Sequence, residues 1–148
     1  MILAILIGRA KSKGFPNKNL KKINGRHLFE YPIIACQKSK IVDKIFVSTD
    51  SNIIKKKITK YKKIELIDRK KNLATDKALG EDVFYDVYKR IKKKINKSKI
   101  EFLILLFANS ATVSKDMLIK GVKFLRKNPS FDSAVSTSVY NMWSPLRA

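Results

Sequence analysis

A cationic segment rich in turn-forming residues follows the first apolar run of the sequence and could bind a polyphosphate. It extends from Gly8 to Arg26 and holds three glycines and seven lysines or arginines. Glycine lets backbone N–H groups approach an anion closely, and cationic side chains neutralise its charge. A triphosphate is therefore the ligand class that this segment suits best. The same composition is also typical of a solvated, lysine-rich surface loop.

Two widespread phosphate-binding motifs do not explain this segment. A Walker A loop has a lysine directly after its second glycine, but Gly14 lies six residues after Gly8 and is followed by Phe15. The dinucleotide-binding pattern G-x-G-x-x-G is absent from the sequence. A nucleotide site in this segment would need another arrangement of cations.

The apolar pattern predicts alternating strands and helices that position this segment at one edge of a sheet. Ile2–Ile7 is a continuous branched run, typical of a strand buried on both faces. Further strands are predicted at 44–48, 65–67, 101–107 and 133–137. Helices are predicted between them, at about 28–38 and around three apolar stripes (Ile54, Ile58 and Tyr61; Phe84, Tyr88, Ile91 and Ile95; Leu118, Val122 and Leu125).

This alternation predicts right-handed βαβ units, and hence an α/β fold whose mostly parallel sheet carries helices on both faces. Ligands of such sheets bind beyond the carboxyl ends of the strands, which is where the cationic segment begins. Pro32 is expected in the first turn of its helix. Thr49 and Asp50 are expected to cap the helix that follows them, and Ser114 to cap the last helix.

The formal net charge of +21 raises nucleic-acid binding as an alternative function. The cations are 27 lysines and only 6 arginines, however, whereas surfaces that clamp phosphates or read bases favour the planar fork of arginine. Most of the lysines fall on the predicted outer faces of helices. The composition therefore argues against a nucleic-acid partner.

The 148 residues fit one α/β domain, and 45% of them are apolar, as in globular proteins. No run approaches 18 apolar residues, so no membrane-spanning helix is predicted. The single cysteine, Cys36, is expected in the core and fits a reducing cytoplasm. Because the last residues, NMWSPLRA, are polar and loop-like, the domain 1–148 is expected to be truncated at its C-terminus.

Four segments, taken in order, resemble the signature of acylneuraminate and related cytidylyltransferases. The first follows the first strand directly and has the form R-x-x-S-K-G-x-P-x-K-N. The matched segments are Arg9 to Asn19, Asn24 to Leu28 (NGRHL), Phe46 to Ser51 (FVSTDS), and Asp68-Arg69 with Leu73 to Asp76 (LATD). The resemblance covers essentially the whole chain, and it implies a Rossmann-like nucleotidyltransferase fold.

The resemblance implies transfer of CMP from CTP to a keto-sugar acid of the sialic, legionaminic or pseudaminic type, with release of pyrophosphate. The sugar oxygen would attack the α-phosphate, and Mg²⁺ would help to stabilise the departing pyrophosphate. The family's metal-binding aspartates lie in a later strand, so no metal ligand is expected within the chain. A cytoplasmic location and a possible homodimer of the full-length protein also follow from the resemblance.

The same resemblance assigns the site residues. Arg9 and Lys13 would hold the triphosphate, and the backbone around Ser12 and Gly14 would wrap it. The catalytic candidates are Lys18 and Asn19, which would lie near the α-phosphate and position the reacting oxygen. Two further residues would contact the nucleotide, Arg69 and, at the base or ribose, Asn109.

The chain departs from the family pattern at several positions. Ala10 and Lys11 replace glycines of the first loop, and Phe107 to Ala111 replace a Q-P-T-S-P segment that helps to read the base. His27 stands where the family usually has proline and is interpreted as structural. Three alternatives stay open: an inactive or incomplete nucleotide-binding module, a nucleotidyltransferase for another sugar or base, and a basic protein that binds nucleic acid.

Overall fold

A four-stranded parallel sheet forms the centre of the computed structural model, which describes residues 1–10 and 15–137. In chain order the strands are β1 (Ile2–Ile7), β2 (Lys22–Ile23), β3 (Arg26–His27), β4 (Lys44–Thr49), β5 (Ile64–Asp68) and β6 (Phe102–Phe107). The helices are α1 (Glu30–Ser39), α2 (Asn52–Ile58), α3 (Gly80–Lys94) and α4 (Lys115–Lys127). The sheet order is β5-β4-β1-β6, and β2 pairs with β3 in a separate antiparallel hairpin. The predicted parallel α/β fold is confirmed.

Strand β1 is central because both of its edges are paired and both of its faces are covered. It runs parallel to β4, with Leu3 opposite Lys44, and parallel to β6, with Ile2 opposite Phe102. Every residue of β1 is buried, as its continuous apolar run predicts.

The helices lie on both faces of the sheet, as predicted. One apolar cluster joins α1, α2 and α4 to one face through Ile33, Ile54 and Leu118. The other cluster joins α3 to the opposite face, and its helix contributes Val83, Val87 and Ile91. Of the predicted α3 stripe, Ile91 is buried in this cluster, and Phe84 and Ile95 pack against it while half-buried. Cys36 lies in the first cluster, where burial raises the pKa of its thiol to about 12.

Two predicted features are wrong. Residues 133–137 are exposed and form no strand, because no strand of the described sheet pairs with them. The segment from Gly8 to Arg26 is not a plain loop, since its described part includes the 3₁₀ turn Lys18–Leu20 and the β2-β3 hairpin. None of the helices in residues 1–10 and 15–137 is long and apolar enough to cross a membrane.

The chain reverses its direction across the sheet between β1 and β6. It passes from β1 through β4 to β5, and α3 then carries it back to the other side of β1. Such a switch point opens a crevice at the carboxyl ends of the two strands. Here Gly8 follows β1 and Ala108 follows β6, and a Cβ atom added to Gly8 would lie 2.5 Å from the Cβ of Ala108.

A methyl group at Gly8 should therefore push the two strand ends apart. We expect Gly8→Ala to lower the free energy of unfolding by about 1–3 kcal/mol, the usual cost of overpacking. The matched control is Gly121→Ala in α4, where an added Cβ meets no atom within 4 Å. That variant should gain up to about 1 kcal/mol from helix propensity. Urea unfolding of both variants measures the difference, and equal midpoints would contradict the steric account.

A buried carboxylate ties the hairpin and the first two helices together. Glu30, only 3% exposed, accepts hydrogen bonds from the backbone N–H of His27 (2.8 Å) and the hydroxyl of Tyr61 (2.6 Å). The Lys60 ammonium lies 2.6 Å from its Oε1. Burial alone raises the pKa of Glu30, but these donors outweigh it and bring the pKa down to about 2.

Protonation of Glu30 should therefore destabilise the fold. Because its folded pKa of about 2 lies below the unfolded value of 4.5, the contribution is complete above pH 4.5 and is lost as the pH falls toward 2. The shift corresponds to about 3 kcal/mol. We expect the difference in unfolding free energy between wild type and Glu30→Gln to be constant from pH 5 to 7 and to shrink below pH 4.5. A difference that does not change with pH would contradict this assignment.

Candidate functional site

Arg9 lies two residues beyond β1, and its guanidinium is held by the loop that follows β5. Its Nη1 atom donates to the carbonyl oxygen of Thr75 (3.1 Å) and lies 2.6 Å from Oδ1 of Asp76. The side chain is 30% exposed, so it stays open to solvent at the carboxyl edge of the sheet. The guanidinium that the family resemblance predicts to hold a triphosphate is thus oriented by residues of a second loop.

Side chains also hold the backbone of this residue. The carboxamide Nδ2 of Asn19 donates to the carbonyl oxygen of Arg9 at 3.0 Å. The N–H of Ala10 donates to Oδ1 of Asp50 at 2.8 Å. Asn19 is 4% exposed, and its Oδ1 has no hydrogen-bond partner among the described residues. Both contacts fall on one peptide group, the one that joins Arg9 to Ala10.

The predicted helix cap at Thr49 and Asp50 is wrong. Ser51 is the N-cap of α2, and its Oγ accepts from the N–H of Ile54. Thr49 Oγ1 accepts instead from the N–H of Ser51, and Asp50 faces the first loop. The cap belongs to Ser51 because its backbone is extended and its side chain points back into the first turn of the helix.

Arg69 follows β5 directly and turns toward the end of β4. Its Nη2 donates to the carbonyl oxygen of Ser48 at 2.8 Å, and its Nε lies 3.4 Å from Ser48 Oγ. Burial lowers the pKa of this guanidinium, the charge of Asp50 raises it, and that of Arg9 lowers it further. Arginine remains protonated through such shifts. The site therefore holds two guanidinium groups and two carboxylates, with Asp76 paired to Arg9 and Asp50 within electrostatic reach of Arg69.

The other predicted site residues lie either at the same carboxyl edge of the sheet or outside the residues that the structure describes. Lys18 is half-buried in the turn next to Asn19. Asn109 is exposed in the turn after β6, and its carbonyl oxygen accepts from the N–H of Ala111. Three predicted residues lie outside the described residues: Ser12, Lys13 and Gly14. The roles of all the predicted site residues, including Arg9, Asn19 and Arg69, stay predictions.

His27 has a structural position, in keeping with the interpretation from sequence. Its Nδ1 lies 2.6 Å from the carbonyl oxygen of Leu20, so this nitrogen carries the proton. Its ring stacks on Phe29 at 5.7 Å between centroids. These contacts fasten the β2-β3 hairpin beside the 3₁₀ turn that carries Asn19.

The described residues do not fit a magnesium ion by themselves. Magnesium is usually held by one or two carboxylates together with substrate phosphates. The two carboxylates nearest the guanidinium groups are engaged, Asp50 with the N–H of Ala10 and Asp76 with Arg9. No group of three or more His, Cys, Asp or Glu residues in the described ranges could hold a metal ion.

Comparison with known proteins identifies relatives for this arrangement. A family model described as "Cytidylyltransferase" matches residues 3–142. The "Post-translational flagellin modification protein B" of Campylobacter coli is 34% identical over 86% of this chain and 54% of its own length. The "CMP-N,N'-diacetyllegionaminic acid synthase" of Campylobacter jejuni is 36% identical over 74% of this chain and 46% of its own. The chain thus spans about half the length of these curated relatives.

A solved structure shares the fold. It is a CMP:2-keto-3-deoxy-manno-octonic acid synthetase in complex with CTP, with a TM-score of 0.67 and 17% sequence identity. The match covers 88% of this chain and 49% of the other. At this identity the likeness supports the nucleotidyltransferase fold, and it leaves the ligand of this chain to be argued from its own residues.

Replacing Arg69 by lysine should weaken the end of the sheet, because a single ammonium cannot reproduce the two guanidinium contacts to Ser48. We expect Arg69→Lys to lower the free energy of unfolding by about 1–2 kcal/mol. Arg126→Lys is the matched control, since Arg126 pairs with Glu101 at an exposed position. It should change stability by less than about 0.5 kcal/mol. Equal losses in urea unfolding would show that the Ser48 contacts contribute nothing specific.

Proposed function

We propose that this chain, which belongs to the cytidylyltransferase family, binds CTP at the carboxyl edge of its sheet. It would supply the nucleotide-binding part of an enzyme that transfers CMP to a keto-sugar acid and releases pyrophosphate. Family membership supports the reaction class. The name of the Campylobacter jejuni relative supports a sugar acid of the legionaminic type as the acceptor class.

The observation that carries the proposal is the position of two guanidinium groups at the carboxyl edge of the parallel sheet. Arg9 leaves the end of β1 and Arg69 leaves the end of β5, and both are fixed by contacts to neighbouring loops or strands. Guanidinium groups bind phosphate oxygens through paired, charge-assisted hydrogen bonds. Arg9 and Arg69 are both half-buried and held by contacts of their own, whereas most lysines of the helix surfaces are exposed, and this difference favours a defined anion site over a diffuse one.

The chemistry requires positioning and charge neutralisation more than it requires a base. The sugar oxygen forms a bond to the α-phosphorus as the bond to the pyrophosphate oxygen breaks, and negative charge collects on the pyrophosphate. Arg9 would neutralise that charge, and Lys18 would lie nearer the α-phosphate. Asn109, in the turn after β6, would contact the base or ribose.

Magnesium belongs to the proposal for the whole enzyme, with ligands from outside the described residues. When bound, it would neutralise phosphate charge, and none of the roles given above depends on it. A cytoplasmic location, where CTP is made, and a homodimer of the whole enzyme are proposed on the same family grounds.

Calorimetric titration of the chain with CTP, ATP, GTP and UTP at moderate salt tests the proposal. We expect CTP to bind more tightly than the other three. Arg9→Ala and Arg69→Ala should each weaken CTP binding by about tenfold or more, the usual effect of losing a hydrogen bond to a charged group. The control is Arg126→Ala, which removes the same charge at the opposite edge of the sheet and should bind CTP as the wild type does.

Two results would contradict this function. Equal binding of all four nucleotides that disappears with added salt would favour the alternative of a basic protein that attracts any polyanion. A loss of affinity in Arg126→Ala as large as in Arg9→Ala would show that total charge, and not the crevice, determines binding.

A further inference from the structure

The peptide group between Arg9 and Ala10 is held at both of its polar atoms by side chains. Asn19 Nδ2 donates to its carbonyl oxygen (3.0 Å), and Asp50 Oδ1 accepts from its N–H (2.8 Å). The two side chains come from different elements, since Asn19 belongs to the 3₁₀ turn and Asp50 follows β4. We call this arrangement the peptide clamp.

The peptide clamp is built into the fold and is not a chance surface contact. Asn19 is buried, with only 4% of its surface exposed. Its own backbone carbonyl accepts a hydrogen bond from the N–H of Phe29. Its Nδ2 also lies close to Gly8, at 3.4 Å from the place of an added Cβ. The bond to Asp50 is charge-assisted, which makes it stronger than a bond between neutral groups. Without these partners, the peptide group would be free to reorient, and its N–H and carbonyl would form hydrogen bonds with water instead.

The clamp acts on the guanidinium of Arg9 through the backbone. The far end of the side chain is held by Thr75 and Asp76, so Arg9 is fixed at both its peptide and its guanidinium. Ordering a long, flexible side chain costs entropy, and this cost is met here before any ligand arrives. A clamped Arg9 is therefore preorganised for an anion in the crevice.

We propose that Asp50 and Asn19 are positioning residues that hold the Arg9–Ala10 peptide and so aim Arg9 into the nucleotide site. This inference rests on the proposed function for its ligand, though the clamp itself is observable without one. It gives Asp50 a role in place of the helix cap expected from sequence. It also assigns Asn19 to the support of Arg9, where the family resemblance suggested contact with the reacting atoms.

A pair of substitutions at Asp50 separates positioning from charge. Asp50→Ala and Asp50→Asn both remove one negative charge, but only asparagine keeps an oxygen that can accept from the N–H of Ala10. A purely electrostatic role would change the dissociation constant for CTP equally in both. We expect Asp50→Asn to stay within about threefold of the wild type and Asp50→Ala to bind about tenfold more weakly. Calorimetry gives both values, and Asp68→Asn, at an exposed carboxylate that ends the neighbouring strand β5, controls for net charge.

The exchange rate of the Ala10 amide, measured by NMR without nucleotide, tests the clamp independently. It should be slow in the wild type and in Asp50→Asn, and faster by about tenfold or more in Asp50→Ala, because the N–H loses its acceptor. Equal CTP affinities of the two Asp50 variants, or an Ala10 exchange rate unchanged by Asp50→Ala, would overturn the inference. Absence of CTP binding by the wild type would instead overturn the proposed function, while the amide measurement would still decide whether the clamp exists.

Discussion

The complete enclosure of β1 is the constraint on which the rest of the structure depends. Its edges are paired with β4 and β6, and its faces are covered by α3 on one side and by α1 and α4 on the other. A strand enclosed in this way has little freedom, so the backbone that leaves it starts from a fixed point. The hydrogen bonds from Gly8 N to Ser48 O and from Ala108 N to Ile7 O extend this order into the two loops at the switch point.

Fixed strand ends explain why the site can be built from loops. Arg9 lies two residues beyond β1 and Arg69 directly follows β5, so few rotatable backbone bonds separate each guanidinium from the sheet. Both guanidinium groups donate hydrogen bonds to backbone carbonyl oxygens. In addition, Asp50 lies near enough to raise the pKa of Arg69. Two cations can approach each other only when such partners offset their repulsion and their loss of water. The many surface lysines need no such partners, because they are solvated.

The sequence predicts the fold well where burial decides it and less well where local geometry does. Continuous apolar runs locate four parallel strands, and helical spacing locates four helices, because these patterns report burial directly. The run 133–137 has strand-like composition, but a strand also requires a partner, and the sequence does not say which edge is available. Asp50 and Ser51 are equally good caps by residue type, and the choice depends on which of them has the extended backbone.

The residues of the candidate site also differ in whether the sequence predicts them. Arg9 and Arg69 are predicted from sequence because they stand in segments that resemble the family signature. The peptide clamp is not readable, since Asn19 and Asp50 meet Arg9 and Ala10 only after the 3₁₀ turn and β4 have packed against β1. Their polar side chains carry no periodicity that would mark them as supports and not as catalysts. Sequence therefore identifies the groups that could touch a nucleotide, and packing identifies the groups that hold them in place. In a reaction that depends on positioning charge around phosphates, the supporting residues limit how well the nucleotide-binding residues can act.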